Sequence, residues 1–313
     1  MALTHLSAPL NVGLSNNASN PANKTAIPSD PDLGPSIAFG GVMLQDPRFG
    51  YRGGGGTENN ALLDIGLGIC GETLVVDQAP STSAVNNLAI AAAVTSGTAM
   101  TLVSSTGAGI TVMTSALFIP QTGNTVPTGK LAIDGLPALV YFGTNKSTAV
   151  PDPTKNIARA VSITASSGAV GGNFLVSGYD LYGFAQTEKI TVASSPTGAT
   201  TSNGKKAFKF ISSVTPQVTD TFSYSVGTAS IFGFPLAVTE FPLASVGWAG
   251  SLIASSTGFV AAVSSTATNT TGDVRGTYTV QSNPNGVIVL QMFQTITPAN
   301  ITSMTGYFGV TPA

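Results

Sequence analysis

Asn173-Phe174-Leu175-Val176-Ser177-Gly178-Tyr179-Asp180-Leu181-Tyr182-Gly183-Phe184-Ala185-Gln186-Thr187-Glu188-Lys189-Ile190-Thr191-Val192 decides the fold. Side chains on a strand alternate between two faces. Asn173–Leu181 therefore sets Phe174, Val176, Gly178 and Asp180 on one face, and Ala185–Val192 sets Glu188, Ile190 and Val192 against Thr187, Lys189 and Thr191. Tyr182-Gly183 between them reads as a hairpin turn. Downstream, Ala207–Val214, Thr221–Val226, Ile231–Val238, Ala244–Ala254, Phe259–Ser264, Asp273–Val280 and Val287–Phe293 read as further strands; upstream, Ile157–Ala165 does. Turn signals separate them at the 8–12-residue spacing of a sandwich or barrel. No β–helix–β alternation is present, which disfavours a nucleotide-binding α/β fold.

Residues 61–150 carry shorter apolar runs: Leu74–Val76, Leu117–Ile119, and Leu131–Ile133 before the turn Asp134-Gly135. Thr98–Val103 and Gly109–Met113 read as a β pair. Ser83–Val94, with Ala84, Leu88, Ala89, Ala91 and Ala92, is the best helical candidate, β-structure remaining open there. Residues 1–60 differ from both regions. Pro9, Pro21, Pro28, Pro31, Pro35 and Pro47 break them, and Gly53–Gly56 interrupts any period. Apolar anchors punctuate this stretch, which reads as an extended arm able to reach about 180 Å. Ordering its backbone costs about 1–2 kcal/mol per residue, so wide contact with another surface is required. The expected architecture is mainly β: an extended N-terminal arm (1–60), a first β-rich domain with one short helix (61–150), and an antiparallel β-sandwich or barrel-like domain (151–313).

Composition narrows the function. The 313 residues are only 8% charged, against about 25% in an ordinary domain, and the formal net charge is −2. With 42% hydrophobic residues and a mean hydropathy of +0.30, a sizeable core is assured. Twelve basic residues against fourteen acidic ones leave no excess to neutralise phosphates, so no nucleic-acid partner is expected. No run of about 20 apolar residues is present, so no membrane span is expected either. The start has no basic n-region, so the chain is expected to be made in a host cytoplasm without an export signal. The sole cysteine, Cys70, cannot bridge within the chain, and the sole histidine, His5, lies in the arm. A His-based triad and a Cys/His zinc site are both excluded. Gly53–Gly56 lacks the Lys-Ser/Thr of a phosphate cradle, and Asp30 with Asp32 is too sparse for a calcium loop. The acids show no local pairing for glycoside hydrolysis, and aromatic residues are 7% with one Trp. No enzyme, cofactor or metal is expected. Asp273 and Arg275, at i and i+2 of Thr271-Gly272-Asp273-Val274-Arg275-Gly276-Thr277, share a strand face and form a candidate structural ion pair. Arg159 with Asp180 or Glu188 is a second, cross-strand candidate.

Several segments together resemble a module of tailed-bacteriophage structural proteins. They are Asn156–Thr164, Val176–Gly183, Thr187–Thr191, Gly204-Lys205-Lys206-Ala207-Phe208-Lys209, Ser225–Thr228, Phe232–Leu236 and Thr271–Thr277. The resemblance spans about residues 150–290 and implies a non-enzymatic virion part present in many copies. Within that family a capsid decoration (cement) protein is the first expectation. It would sit on the capsid exterior, with the major capsid protein and copies of itself, as a trimer, for partners. Leu33, Ile37, Phe39, Phe49 and Tyr51 are the expected capsid-binding anchors of the arm. A tail, baseplate or fibre component, including a tail tube or host-binding adhesin, is the alternative.

Overall fold

A computed structural model of the chain describes residues 73–119, 123–142, 148–152, 154–241, 244–253, 256–296 and 304–313. The arm, 1–60, with its anchors Leu33, Ile37, Phe39, Phe49 and Tyr51, lies outside the described residues. The chain divides into two compact units, one of Met1–Leu74 with Gln294–Tyr307, the other of Val75–Phe293 with Phe308–Ala313. The larger unit is described below.

The described chain is mainly β, in antiparallel sheets. Its first strands are β1 (Thr73–Gln78), β2 (Ala89–Val94), β3 (Ile110–Val112), β4 (Leu117–Ile119), β5 (Asn124–Val126), β6 (Leu131–Ile133), β7 (Leu139–Phe142) and β8 (Thr148–Pro151). The longer ones follow: β9 (Ala158–Ala165), β10 (Gly172–Tyr179), β11 (Ala185–Val192), β12 (Thr200–Phe208), β13 (Phe210–Pro216) and β14 (Asp220–Gly233). The series closes with β15 (Ala244–Trp248), β16 (Ser251–Ile253), β17 (Phe259–Val260), β18 (Thr277–Thr279), β19 (Leu290–Thr295) and the short helix α1 (Met304–Phe308).

Two sheets form the sandwich. One runs β11-β10-β13-β6-β3; the other runs β12-β9-β14-β18-β17, with β2 also on β14. Phe174, Val176, Ile190, Ile211 and Val214 from the first meet Val161, Ile163, Tyr224 and Val226 from the second in a common apolar core. The deciding hairpin pairs in regular register, Phe174 opposite Ile190 and Val176 opposite Glu188. A second core gathers Phe232, Phe234, Val246, Trp248, Tyr278, Leu290 and Met292 beside the sheet β1-β19-β15-β16. β6 pairs with β13 and β2 with β14, so strands from the 61–150 stretch complete both sandwich sheets.

Several local expectations are corrected. Ser83–Val94 is not a helix: it ends in β2, and its first half crosses β14. There Leu88 N–H donates to Val226 O (3.0 Å), Thr228 N–H donates to Ala84 O (3.0 Å), and Asn87 Nδ2 donates to Thr228 Oγ1 (3.0 Å). Any side chain at Gly227 would strike the Ala84 carbonyl, so glycine permits the crossing. Long-range pairing overrides the alanine-rich helical preference. Thr98–Val103 is not a strand; Met100 and Val103 bond singly to Val214 and Leu88, while β3 pairs with β6. Ala207–Val214 is two strands, β12 and β13, with Lys209 at the corner, and Thr221–Val226 joins the first residues of Ile231–Val238 into one strand, β14. Ala244–Ala254 contains the hairpin β15–β16, with Trp248 opposite Ser251.

That hairpin turns at Ala249-Gly250, with φ of 54° and 78°. Alanine carries a steric cost in this left-handed region, whereas asparagine tolerates it. Ala249→Asn is expected to stabilise the chain by about 0.5–1 kcal/mol, a rise of about 2 °C in the thermal midpoint. A lower midpoint would refute the strained turn.

Candidate functional site: a buried polar clasp

β12 does not pair evenly with β9: the register shifts between Asn203 and Ala207. The residues in that irregularity, 204–206, would leave backbone donors without ladder partners, which is costly when buried. Buried carboxylates supply the acceptors. Lys205 N–H donates to Glu188 Oε1, Lys206 N–H to Glu188 Oε2 (3.3 Å), and Ala207 N–H to Asp273 Oδ2 (2.8 Å). Gln186 Nε2 donates to Ala207 O (2.7 Å). Gln186 and Glu188 reach this position because they occupy the inward face of β11, in line with Ile190 and Val192. Gly204 is needed here too, since a Cβ would meet the Glu188 carboxylate.

Asp273 and Arg275 sit in this cluster, both 1% exposed, in a bend preceding β18 rather than on a strand. Asp273 Oδ1 accepts the Arg275 backbone N–H at 2.8 Å. The guanidinium reaches further: Arg275 Nη1 lies 2.7 Å from Asp180 Oδ2 and also donates to Phe308 O (3.2 Å). Asp180 is already fixed, because its Oδ1 accepts the Tyr182 and Phe184 N–H groups, each at 2.9 Å. That Asx turn closes the β10–β11 connection, which spans 180–184 rather than two residues. Arg275 lies over the Tyr182 ring at 5.2 Å, and Tyr182 OH donates to Pro235 O (2.7 Å). The clasp thus ties the hairpin turn, β11, β12 and the 273–276 bend together.

Arg159 pairs with neither Asp180 nor Glu188, both already engaged. Its Nη1 lies 3.4 Å from Asp134 Oδ2 and donates to Ser81 O (2.9 Å), while Nε donates to Ala229 O (3.0 Å). Asp134 sits at the left-handed position of its turn, φ 51°, and its Oδ1 accepts Ser81 N–H (2.8 Å). Lys209, at the β12–β13 corner, donates from Nζ to Ile133 O (2.8 Å). The alternation around Glu188 was a readable sign of an inward carboxylate; nothing local in the sequence marks the partnerships with Asp180 or Asp134.

Burial governs the protonation of these groups. Desolvation pushes Glu188 up to about 7 against the pull of the Lys205 and Lys206 amides and the Lys206 charge. Desolvation likewise raises Asp273, opposed by the Arg275 charge. It lowers Lys206, opposed by Glu188 and Asp273, and takes Lys209 down to about 8, opposed by Asp134. For Arg275 burial acts downward, but Asp180 and Asp273 outweigh it and the net shift is upward. Of the sixteen Asp, Glu, Lys and Arg residues described, nine are buried. Their hydrogen bonds go to backbone groups, to one another and to the hydroxyls of Ser83, Thr154 and Tyr224. Chemically, the arrangement locks segments together. No family model, curated protein or solved structure matches the chain.

Two outcomes follow. Glu188 binds its proton more tightly folded than unfolded, so its contribution to stability is present below about pH 4.5 and lost as pH rises through about 7. Denaturant midpoints measured from pH 5 to 8 are expected to fall more steeply for the wild type than for Glu188→Gln; parallel profiles would contradict this. Arg275→Met leaves Asp180 buried without its cation and is expected to cost about 3–5 kcal/mol, with Asp180→Asn added to it restoring part of the loss. A loss under about 1 kcal/mol in equilibrium unfolding would show that Asp180 does not depend on Arg275.

Proposed function

We propose that the chain is a structural component of a tailed-phage virion: a decoration protein on the outside of the capsid, acting mechanically and not as an enzyme. The observation that carries this reading is the inward placement of charge. Among the described residues only Asp77, Lys155, Lys205 and Glu240 combine a formal charge with an exposed position. The other exposed residues among those described are hydroxyl, amide, glycine and apolar ones, Ile90, Phe118, Leu136 and Phe222 among the larger. Such a surface presents little charge to desolvate and little like-charge repulsion when copies crowd together. The segments that resemble phage structural proteins also meet physically. Val176–Gly183, Thr187–Thr191, Gly204–Lys209 and Thr271–Thr277 all contribute to the clasp, which supports their being one structural module.

In this reading the arm lies across adjacent major capsid subunits through Leu33, Ile37, Phe39, Phe49 and Tyr51. The sandwich packs against its own copies around a local three-fold axis. Many weak contacts then hold together by multivalency, bracing the shell against the packaged genome.

Gold-labelled antibody against this protein is expected to decorate heads of purified virions; label confined to tails would transfer the reading to a tail or fibre component. Binding of the protein to undecorated capsids is expected to change by less than about threefold between 50 and 500 mM salt, since few surface charges are screened. A fall of a hundredfold or more would mean that attachment is electrostatic. Removing residues 1–56 is expected to abolish capsid binding, and full occupancy by the truncated chain would refute the arm's role.

A further inference from the structure

Two complementary atoms of the clasp find no hydrogen-bond partner among the described residues: Arg275 Nε, a donor, and Gln186 Oε1, an acceptor. Both residues are 1% exposed. A bare polar atom in a dry interior is costly, and buried polar groups of native proteins are satisfied, with few exceptions, by protein or by ordered water.

The fold brings the two side chains into one locality. Gln186 stands opposite Gly178 in the β10–β11 ladder, and Asp180 follows Gly178 by two residues, so Gln186 and Asp180 are diagonal neighbours. Gly178 adds no side chain to that space. Asp180 draws the Arg275 guanidinium to the same place, with Nη1 at 2.7 Å. A second route leads to the same locality. The N–H and C=O of a strand residue point to one side. Ala207 therefore holds Gln186 Nε2 on its carbonyl (2.7 Å) beside Asp273 Oδ2 on its N–H (2.8 Å), and Asp273 Oδ1 takes the Arg275 backbone N–H (2.8 Å). Both side chains are anchored through their other atoms, the Gln186 amide nitrogen on Ala207 and Arg275 Nη1 on Asp180 and Phe308 O.

The surroundings select the ligand. It has to accept from Nε and donate to Oε1. An anion could accept, but it would lie among Glu188, Asp273 and Asp180. A cation has nothing to offer Nε and would face the guanidinium. Water is neutral and carries both functions on one atom, and buried waters bind by bridging protein groups that lack other partners.

We propose that the clasp contains a binding site for a water molecule, which accepts from Arg275 Nε and donates to Gln186 Oε1. The water links Arg275 to β11, a connection that the direct bonds of the clasp leave to Asp180 and Asp273. It stands or falls independently of the virion reading, because both of its tests read the interior of the sandwich.

In a high-resolution crystal structure of the full-length protein, a solvent peak is expected within about 3.2 Å of both atoms. A direct hydrogen bond from Nε to Oε1, or no peak between them, would overturn the site. In solution, the Nε–H proton of Arg275 in the isotope-labelled full chain is expected to give water cross-peaks of opposite sign in NOE and ROE spectra, as a long-resident water does. Peaks of equal sign, which report exchange with bulk solvent, or no peaks, would count against it. Gln186→Leu is expected to abolish the opposite-sign peaks; their persistence would remove Oε1 as a partner and with it the bridge. Should that variant not fold, the two wild-type measurements decide the matter.

Discussion

The donation of three consecutive backbone N–H groups, from Lys205, Lys206 and Ala207, to the buried carboxylates of Glu188 and Asp273 is the constraint on which the rest of the clasp depends. β12 departs from its ladder with β9 at this point, and the departure is tolerable in a dry interior only because acceptors are built into it. Glu188 comes from the other sheet of the sandwich, so the same bonds join the edge strands β11 and β12. Asp273 comes from the bend before β18 and carries Arg275 with it, which brings the β10–β11 turn into the same assembly through Asp180. One irregularity in one strand thereby connects segments nearly a hundred residues apart.

Burying charge in this way has a cost and a consequence. Each ion loses its hydration, and removing one partner leaves the other stranded; Glu188, raised to about 7, registers that cost directly. Arg159 with Asp134 and Lys209 with the carbonyl of Ile133 repeat the arrangement at the β6 turn. The consequence lies outside. In a chain with only 8% charged residues, nine of the sixteen described ones are internal and four are exposed, so the described surface carries few charges. The proposed role in a crowded shell follows from the few charges that the described surface carries.

The mainly antiparallel fold was legible where alternation is regular and partners are near in sequence. Phe174, Val176, Ile190 and Val192 announced the deciding hairpin, and Leu131–Ile133 with Asp134-Gly135 announced β6 and its turn. Legibility ended where tertiary pairing competes with local preference. The alanines of Ser83–Val94 favour a helix, but Leu88 and Asn87 are committed to β14. Thr221–Val226 and Ile231–Val238 read as separate strands, yet β14 runs on through Gly227 beneath a crossing segment. Asp273 and Arg275 were singled out as an ion pair on one strand face; they lie in a bend, and the ion pair of Arg275 is with Asp180. Spacing alone could not reveal that the guanidinium would pass over its neighbour to an aspartate 95 residues away.

The clasp is tested most directly by native-state amide hydrogen exchange at residue resolution. If buried carboxylates cap the β12 irregularity, the amides of Lys206 and Ala207 will exchange as slowly as those of Phe174 and Val176 in the hairpin ladder, despite lying where the register breaks. Exchange of Lys206 and Ala207 at the rate of the exposed turn residues Thr197 and Gly198 would contradict it.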